Sequence, residues 1–334
     1  MQLKKPQIIQ FVCSLMLLVP FKLSAQQKDT LIKKLDSLNT QPADLKRKTT
    51  DSINQANYNA VTKLNVRSYF ILLASDIKQQ VTAPFHTKAK DWAKVGYFGL
   101  LTGAVMLADE PVNRFTVDLV NKNNSIASVS KYVTKFGGIY EVYTLAALGS
   151  YGFIFKNEKI KTTTLLASQA YITAGLIESV LKFLTGRQRP VYYDPVTNEN
   201  EAAWHGPFYQ FKKDNLGKRP DGGSYSAFPS GHTTAAFAAA TIFAIEYRDR
   251  PLVPIIAYSA ASLIGLSRIT ENKHWASDVL VGAALGYLCG RQVAKNYHRY
   301  AAIKSGAAKT KNTVSFNLSY QNGVLLPGII YKVK

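Results

Sequence analysis

Six apolar segments constrain the fold of this 334-residue chain more than any other feature. They are rich in Ala, Leu, Ile and Gly, a composition that suits closely packed helices. Each uncharged run is shorter than the roughly 18–20 residues of a confident membrane span, so the pattern fits both a buried soluble bundle and a membrane bundle. We therefore predict an all-α fold with a core of six helices. The segments run roughly over Val95–Ala108, Val142–Phe155, Thr162–Ile177, Thr233–Ile245, Leu252–Ser267 and Val279–Cys289.

The N-terminal part of the chain differs from this core. Residues 1–25 combine a basic start, Lys4 and Lys5, with an uncharged apolar run from Ile8 to Phe21, which indicates a signal peptide or, alternatively, an uncleaved anchor. Both interpretations predict export. Residues 26–65 are polar and predict a partly disordered lead-in.

The helical domain is predicted over 66–304, and it begins with an amphipathic helix that ends before Pro84. In the tail, 305–334, Val314, Phe316, Leu318 and Tyr320 alternate with polar residues and precede an Asn-Gly pair. That pattern predicts a small C-terminal β-hairpin.

Charge and cysteine content narrow the partners and cofactors. Lys and Arg total 41 against 21 Asp and Glu. Because the basic residues are spread along the chain and form no RNA-binding motif, nucleic acid is not the expected partner; an anionic lipid surface or a phosphorylated substrate fits better. With only Cys13 and Cys289, neither a disulfide framework nor a cysteine-rich metal site is expected. The oligomeric state is left open.

Two clusters of polar residues lie at the ends of apolar segments. Lys182 and Arg189 flank Gly186, which we expect to end a helix, and Pro190 favours an extended Arg189. Taken alone, these cations could equally be snorkelling charges at a helix terminus. The second cluster is Phe228-Pro-Ser-Gly-His232, at a predicted helix N-terminus whose amides and dipole suit an anion.

The third cluster, Ser267–Asp278, contains a cation, a histidine and a carboxylate. His274 and Asp278 are four residues apart, a spacing that places both on one helix face and would let the carboxylate fix the imidazole tautomer. Arg268 could bind an oxyanion. Alone, the His/Asp pair could be a coincidence on a surface helix, but the three clusters together supply what phosphoryl transfer requires: cations, amide donors, a nucleophile and an acid.

The pattern Lys182-x6-Arg189-Pro, Pro-Ser230-Gly231-His232 and Ser-Arg268-x5-His274-x3-Asp278 resembles the type 2 phosphatidic acid phosphatase / vanadium haloperoxidase superfamily, over about 182–278. The resemblance implies a helical core of that type and a phosphohistidine mechanism without a metal. In it, His274 attacks phosphorus, Asp278 orients His274, and His232 protonates the leaving oxygen. The phosphoryl oxygens are bound by Lys182, Arg189, Ser230, Gly231 and Arg268.

The expected function is therefore a phosphatase acting on a phosphate monoester or diphosphate, with a membrane lipid of the lipid A, undecaprenyl diphosphate or phosphatidylglycerol phosphate class as substrate. The alternatives are a vanadate-dependent haloperoxidase and a non-specific soluble periplasmic acid phosphatase, because the motifs do not separate these chemistries. We expect a membrane-associated protein of the cell envelope with its active site facing the periplasm. If all six segments crossed the membrane after export, the site would face the cytoplasm, so this expectation requires that not all of them span.

Overall fold

A computed structural model describes Tyr58 and residues 61–191, 202–211, 223–305, 313–321 and 324–332. For residue 210 and the two strands it describes the backbone alone. The predicted signal peptide, almost all of the lead-in and most of the polar stretch after residue 191 lie outside the described residues.

The described residues are mainly helical, and all six apolar segments lie in helices. The prediction of an all-α core is thus confirmed. In chain order the helices are α1 (Val66–Thr82), α2 (Ala89–Leu107), α3 (Asp109–Lys122), α4 (Asn124–Val133), α5 (Ile139–Ile154), α6 (Glu158–Thr185), α7 (Gly231–Glu246), α8 (Leu252–Thr270) and α9 (Ala276–Lys304).

Two of these helices, α3 and α4, were not predicted. They connect the first and second apolar segments and are short and polar on one side, so a search for apolar runs passes over them. A 3-10 turn, Thr134–Gly137, then leads into α5. These elements matter because α3 and the 3-10 turn each bring residues to the candidate site.

Helix α7 occupies the centre of the bundle and packs against α6, α8 and α9. The approach of α9 is especially close: a Cβ added at Gly286 would lie 2.2 Å from the Thr234 carbonyl oxygen. Small residues at such positions allow two helix backbones to approach each other. The buried core on this side includes Ala238 of α7 and Val293 and Ala294 of α9.

The end of α6 is fixed by Gly186, as the sequence predicted. Gly186 adopts a left-handed conformation with φ of 52°, and its N–H donates to the Lys182 carbonyl. A Cβ at this position would also lie 2.4 Å from the Gly206 carbonyl oxygen. Glycine is therefore required at this position both for the left-handed backbone conformation and for the close approach of the backbone at Gly206.

The predicted amphipathic helix is α1, which docks on α9 through polar contacts. Asn296 donates to Asp76 at 2.8 Å, and Tyr300 donates to Ser68 at 3.1 Å. The predicted hairpin is also present: β1 (Thr313–Gln321) and β2 (Val324–Lys332) pair antiparallel. The predicted Asn-Gly turn, residues 322–323, lies outside the described residues.

The outer surface of the bundle carries many large apolar side chains. Leu100 on α2, Ile154 on α5 and Ile256 on α8 are 73%, 72% and 65% exposed. Of the described helices, α6 and α8 are long and apolar enough to cross a membrane. Exposed apolar side chains on several helices, together with helices of this length, are consistent with contact with a membrane or with another protein.

Candidate active site

His274 lies in the turn between α8 and α9 and is 1% exposed. Its Nδ1 is 2.7 Å from the backbone carbonyl oxygen of Ala227. Since a carbonyl can only accept a hydrogen bond, Nδ1 carries the proton and Nε2 presents a lone pair. The imidazole is thereby held in the tautomer that a nucleophilic Nε2 requires.

Asp278 has a different position from the one that the sequence suggested. Its nearest oxygen is 3.6 Å from His274 Nδ1, farther than the Ala227 carbonyl. Instead, Asp278 accepts a hydrogen bond from the Trp275 N–H at 2.9 Å and pairs with Arg187. Asp278 therefore shapes the first turn of α9 beside His274, and its orienting role remains a prediction.

Lys182, Arg189 and Arg268 converge on the two histidines from three elements. Burial contributes most to lowering the pKa of His274 well below its ordinary value, and the positive charges of Arg189, Lys182 and Arg268 lower it further. Burial and the same three cations lower the pKa of His232 to about 4. Charges act at this strength only over short distances, so the cations and both histidines share one site.

Two of these cations are held by polar neighbours. Arg268 donates to Thr134 at 2.5 Å and to Glu271 at 3.0 Å. Arg189 donates from its guanidinium to Ser226 at 3.3 Å. Such contacts keep a guanidinium in place before an anion arrives, which lowers the entropic cost of binding.

The N-terminus of α7 supplies the amide donors of the site. Helix α7 begins at Gly231 with Ser230 as its N-cap residue, and Ser230 is fully buried. The Ser230 N–H donates to the Asp278 carbonyl at 3.0 Å, which ties this terminus to the start of α9. Amides in the first turn of a helix have no partner within the helix and favour an anion.

His232 lies in the first turn of α7, against a segment that the sequence analysis did not identify. A Cβ at Gly138 would lie 3.2 Å from His232 Nε2, and one at Gly137 would lie 3.0 Å from His232 Cβ. The 3-10 turn after α4 thus covers His232 closely. A Gly-Gly pair just before an apolar segment is the signal that could have indicated this contact.

Arg187 is the second feature that sequence reasoning missed, although it lies inside the first motif. It is 1% exposed and pairs with both Asp109 of α3 and Asp278 of α9. Its guanidinium also donates to Ser277 at 2.7 Å, and the Ser277 N–H donates to Asp109. This network connects the end of α6 to the start of α9, next to His274.

The described part of the polar stretch after residue 191 folds back over the first motif. Trp204 forms a β-bridge with Arg187 and its ring lies 4.6 Å from the guanidinium carbon. The ring of His205, which matches none of the three motifs, stacks on Tyr209 at 4.2 Å and approaches Gln188 at 3.2 Å. Lys212, Lys213, Lys218 and Arg219 of the same stretch, which the sequence predicts as contacts for an anionic head group, lie outside the described residues.

All eight predicted site residues lie at one end of the bundle, at the last turn of α6 and the segment that follows it, the first turn of α7, the last turn of α8, and the turn that leads into α9 and the start of that helix. The arrangement places a neutral imidazole with a free Nε2 and a second imidazole beside three cations and a helix N-terminus. It can bind a tetrahedral anion and stabilise charge that develops on its oxygens.

The low pKa of His232 predicts a pH-dependent stability. Because the folded-state value of about 4 is below the ordinary value of 6.5, protons bind more tightly to the unfolded chain, and stability falls as pH drops below 6.5. Between about pH 7 and about pH 5, His232 contributes a loss of about 2 kcal/mol. In detergent, His232→Gln should reduce the fall in melting temperature over this range. The same substitution at exposed His86 should leave the fall unchanged, and equal curves for wild type and His232→Gln would contradict the prediction.

The part of the chain that contains the candidate active site is similar to a known protein family. A family model described as the PAP2 superfamily matches residues 163–301, which contain all eight predicted residues. This segment is therefore similar to the PAP2 superfamily, as the motifs predicted. The match includes helices α7 and α8 entirely and nearly all of α6 and α9.

Individual relatives match different shares of the chain. A lipid A 1-phosphatase of Porphyromonas gingivalis is 55% identical over 73 residues, which are 22% of this chain and 16% of that protein. A probable diacylglycerol pyrophosphate phosphatase 1 of Schizosaccharomyces pombe is 29% identical over 52% of this chain and 68% of its own length. Among solved structures, a transmembrane PAP2-type phosphatidylglycerolphosphate phosphatase of Bacillus subtilis matches with a TM-score of 0.43 and 20% identity, over 67% of this chain and all of that one.

Proposed function

We propose that this protein is a phosphatase that hydrolyses a phosphorylated membrane lipid through a phosphohistidine, without a metal. The observation that carries this proposal is the state of His274: its Nδ1 donates to the Ala227 carbonyl, which leaves Nε2 free, and three cations surround it. A buried, neutral imidazole with a free Nε2 among cations is suited to attack an anionic phosphorus centre.

The proposed reaction has two steps. His274 Nε2 bonds to phosphorus while the bond from phosphorus to the leaving oxygen breaks, and His232 gives its proton to that oxygen. A water molecule then attacks phosphorus, His232 takes up the water's proton, and the bond to His274 breaks to release phosphate. Lys182, Arg189, Arg268 and the α7 amides stabilise the phosphoryl oxygens in both steps.

His232 must carry a proton to act in the first step, although a pKa of about 4 makes it neutral at neutral pH before substrate binds. An anionic phosphoryl group offsets the positive charges of the three cations that disfavour protonation of His232. Binding of the substrate therefore raises the pKa of His232 and prepares the acid that the reaction needs.

A lipid substrate is favoured by the exposed apolar surface of the helices and by the two helices that can cross a membrane. Two of the relatives, a lipid A 1-phosphatase and a probable diacylglycerol pyrophosphate phosphatase, are named for activity on lipid phosphates. Within this class we propose lipid A, undecaprenyl diphosphate or phosphatidylglycerol phosphate.

Phosphate release from these lipids and from soluble phosphate esters, measured in detergent micelles, tests the proposal, with His274→Ala as the inactive control. Release from no phosphorylated lipid would contradict it.

The basic and apolar start of the chain supports export, and we propose that the active site faces the periplasm. Protease added to spheroplasts should cleave the chain within residues 191–228, next to the site. Protection of this region in intact spheroplasts, with cleavage after membrane permeabilisation, would contradict the periplasmic orientation.

A further inference from the structure

Glu178 is an acidic residue inside the site whose role the proposed reaction does not explain. It lies on α6 one turn before Lys182, and its carboxylate pairs with the Lys182 ammonium. Glu178 is 9% exposed. A buried carboxylate in a site built for an anion is electrostatically unfavourable for that anion unless it moves or serves a purpose.

The carboxylate also lies against the N-terminus of α7. A Cβ added at Gly231 would be 2.7 Å from Glu178 Oε1 and 3.4 Å from Lys182 Nζ. A larger residue at position 231 would therefore require the Glu178 carboxylate to shift. Gly231 provides the space that lets this carboxylate lie on the first residue of the helix.

Glu178 thus contacts two of the groups that the reaction assigns to the phosphoryl oxygens: the Lys182 ammonium and the start of α7. Both favour an anion, one by its charge and the other by its amides and dipole. The Glu178 carboxylate pairs with the first of these groups and packs against the second. An arriving phosphoryl group needs the same partners and carries the same sign of charge.

We propose that Glu178 is an internal anion that occupies part of the phosphoryl-binding site and is displaced when a phosphate group binds. It keeps Lys182 in place while the site is empty, weakens the binding of free phosphate, and so assists release of the product. This inference rests on the proposed phosphatase reaction for its purpose, but the competition itself concerns anion binding and is measurable without turnover.

The alternative is that Glu178 only positions Lys182, and the two roles predict opposite signs. If Glu178 competes with phosphate, removing its charge strengthens phosphate binding. If it only holds Lys182 in position, removing its charge loosens the ammonium and weakens phosphate binding.

The experiment measures the dissociation constant of inorganic phosphate by calorimetry for wild type, Glu178→Gln and Glu178→Ala, each in full-length protein in detergent. Glu178→Gln keeps the size of the side chain, and Glu178→Ala provides a second neutral variant. Both should bind phosphate roughly tenfold or more tightly than wild type. The matched control is Glu158→Gln, which removes the charge of a similar pair with Lys161 at the other end of α6 and should leave phosphate binding unchanged.

Unchanged or weaker phosphate binding in both Glu178 variants would overturn the inference, as would the absence of measurable binding to every protein. Failure of the proposed function has a different signature, because wild type would then release phosphate from no lipid while the Glu178 variants could still bind phosphate more tightly. In an active enzyme, product inhibition by phosphate should strengthen in Glu178→Gln by the same factor as the dissociation constant falls.

Discussion

Alanine in place of His274 is expected to lower phosphate release by about a thousandfold or more, since it removes the atom that bonds to phosphorus. The side chain is buried and its Nδ1 is fixed by the Ala227 carbonyl, so Nε2 is held in one orientation. The measurement is kcat/KM with the best substrate of the lipid panel. Brief reaction with a 32P-labelled substrate, followed by alkaline denaturation, should leave label on wild type and none on His274→Ala.

His232→Ala provides a comparison that separates the two histidines. His232 is proposed to protonate the leaving oxygen, so its loss should slow formation of the phosphohistidine little for a phenolate, which departs without protonation, and much for an alkoxide. The ratio of kcat/KM for an aryl phosphate to that for an alkyl phosphate should therefore rise in His232→Ala, while hydrolysis of the phosphohistidine slows for both. In His274→Ala both substrates should be lost together. Substantial release by His274→Ala with either substrate would reject His274 as the nucleophile.

The sequence was sufficient to locate the core helices, but it understated their length. Helix α6 extends from Glu158 to Thr185, beyond the apolar segment Thr162–Ile177, because charged residues in its outer turns pair along the helix, as Glu158 does with Lys161. Helix α9 continues to Lys304 because its second half packs on α1 through polar side chains such as Asn296. Neither feature produces an apolar run, which was the signal used for prediction.

Residue identities at the site were predictable because each motif is local. Lys182, His232 and His274 lie within short stretches whose spacing and helix-end chemistry carry meaning. The partners of these residues come from distant parts of the chain. The acceptor for His274 is the carbonyl of Ala227, 47 residues away, and no side-chain pattern identifies a backbone carbonyl.

The spacing of His274 and Asp278 illustrates the limit of local reasoning. Within a helix, a spacing of four residues would place the two side chains on one face. Helix α9 begins only at Ala276, however, so His274 precedes it. Asp278 accordingly accepts from the Trp275 N–H in the first helical turn and lies 3.6 Å from the imidazole. The pair is close, as expected, yet the nearest hydrogen-bond acceptor for Nδ1 is different.

Arg187→Ala is expected to be the most destabilising single substitution near the site, lowering the free energy of unfolding by about 3–5 kcal/mol. Arg187 is fully buried between the carboxylates of Asp109 and Asp278, and alanine would leave both without their cation. The measurement is the free energy of unfolding in denaturant, or the melting temperature in detergent, against wild type. Arg187→Lys should also destabilise, since an ammonium cannot reach two carboxylates and Ser277 with the geometry of a guanidinium.

Asp109→Asn tests whether the effect comes from charge. It leaves the Arg187–Asp278 pair intact and neutralises the other carboxylate, so it should cost less than Arg187→Ala, and the double variant should be more stable than the sum of the two losses indicates. A melting temperature of Arg187→Ala equal to that of wild type would show that the network does not stabilise the fold.

Because the same network holds Ser277 and Asp278 at the start of α9, folded Arg187→Lys should also lose turnover, through a lower kcat and with little change in phosphate affinity. A fall in phosphate affinity alone would instead place Arg187 among the groups that bind the phosphoryl oxygens.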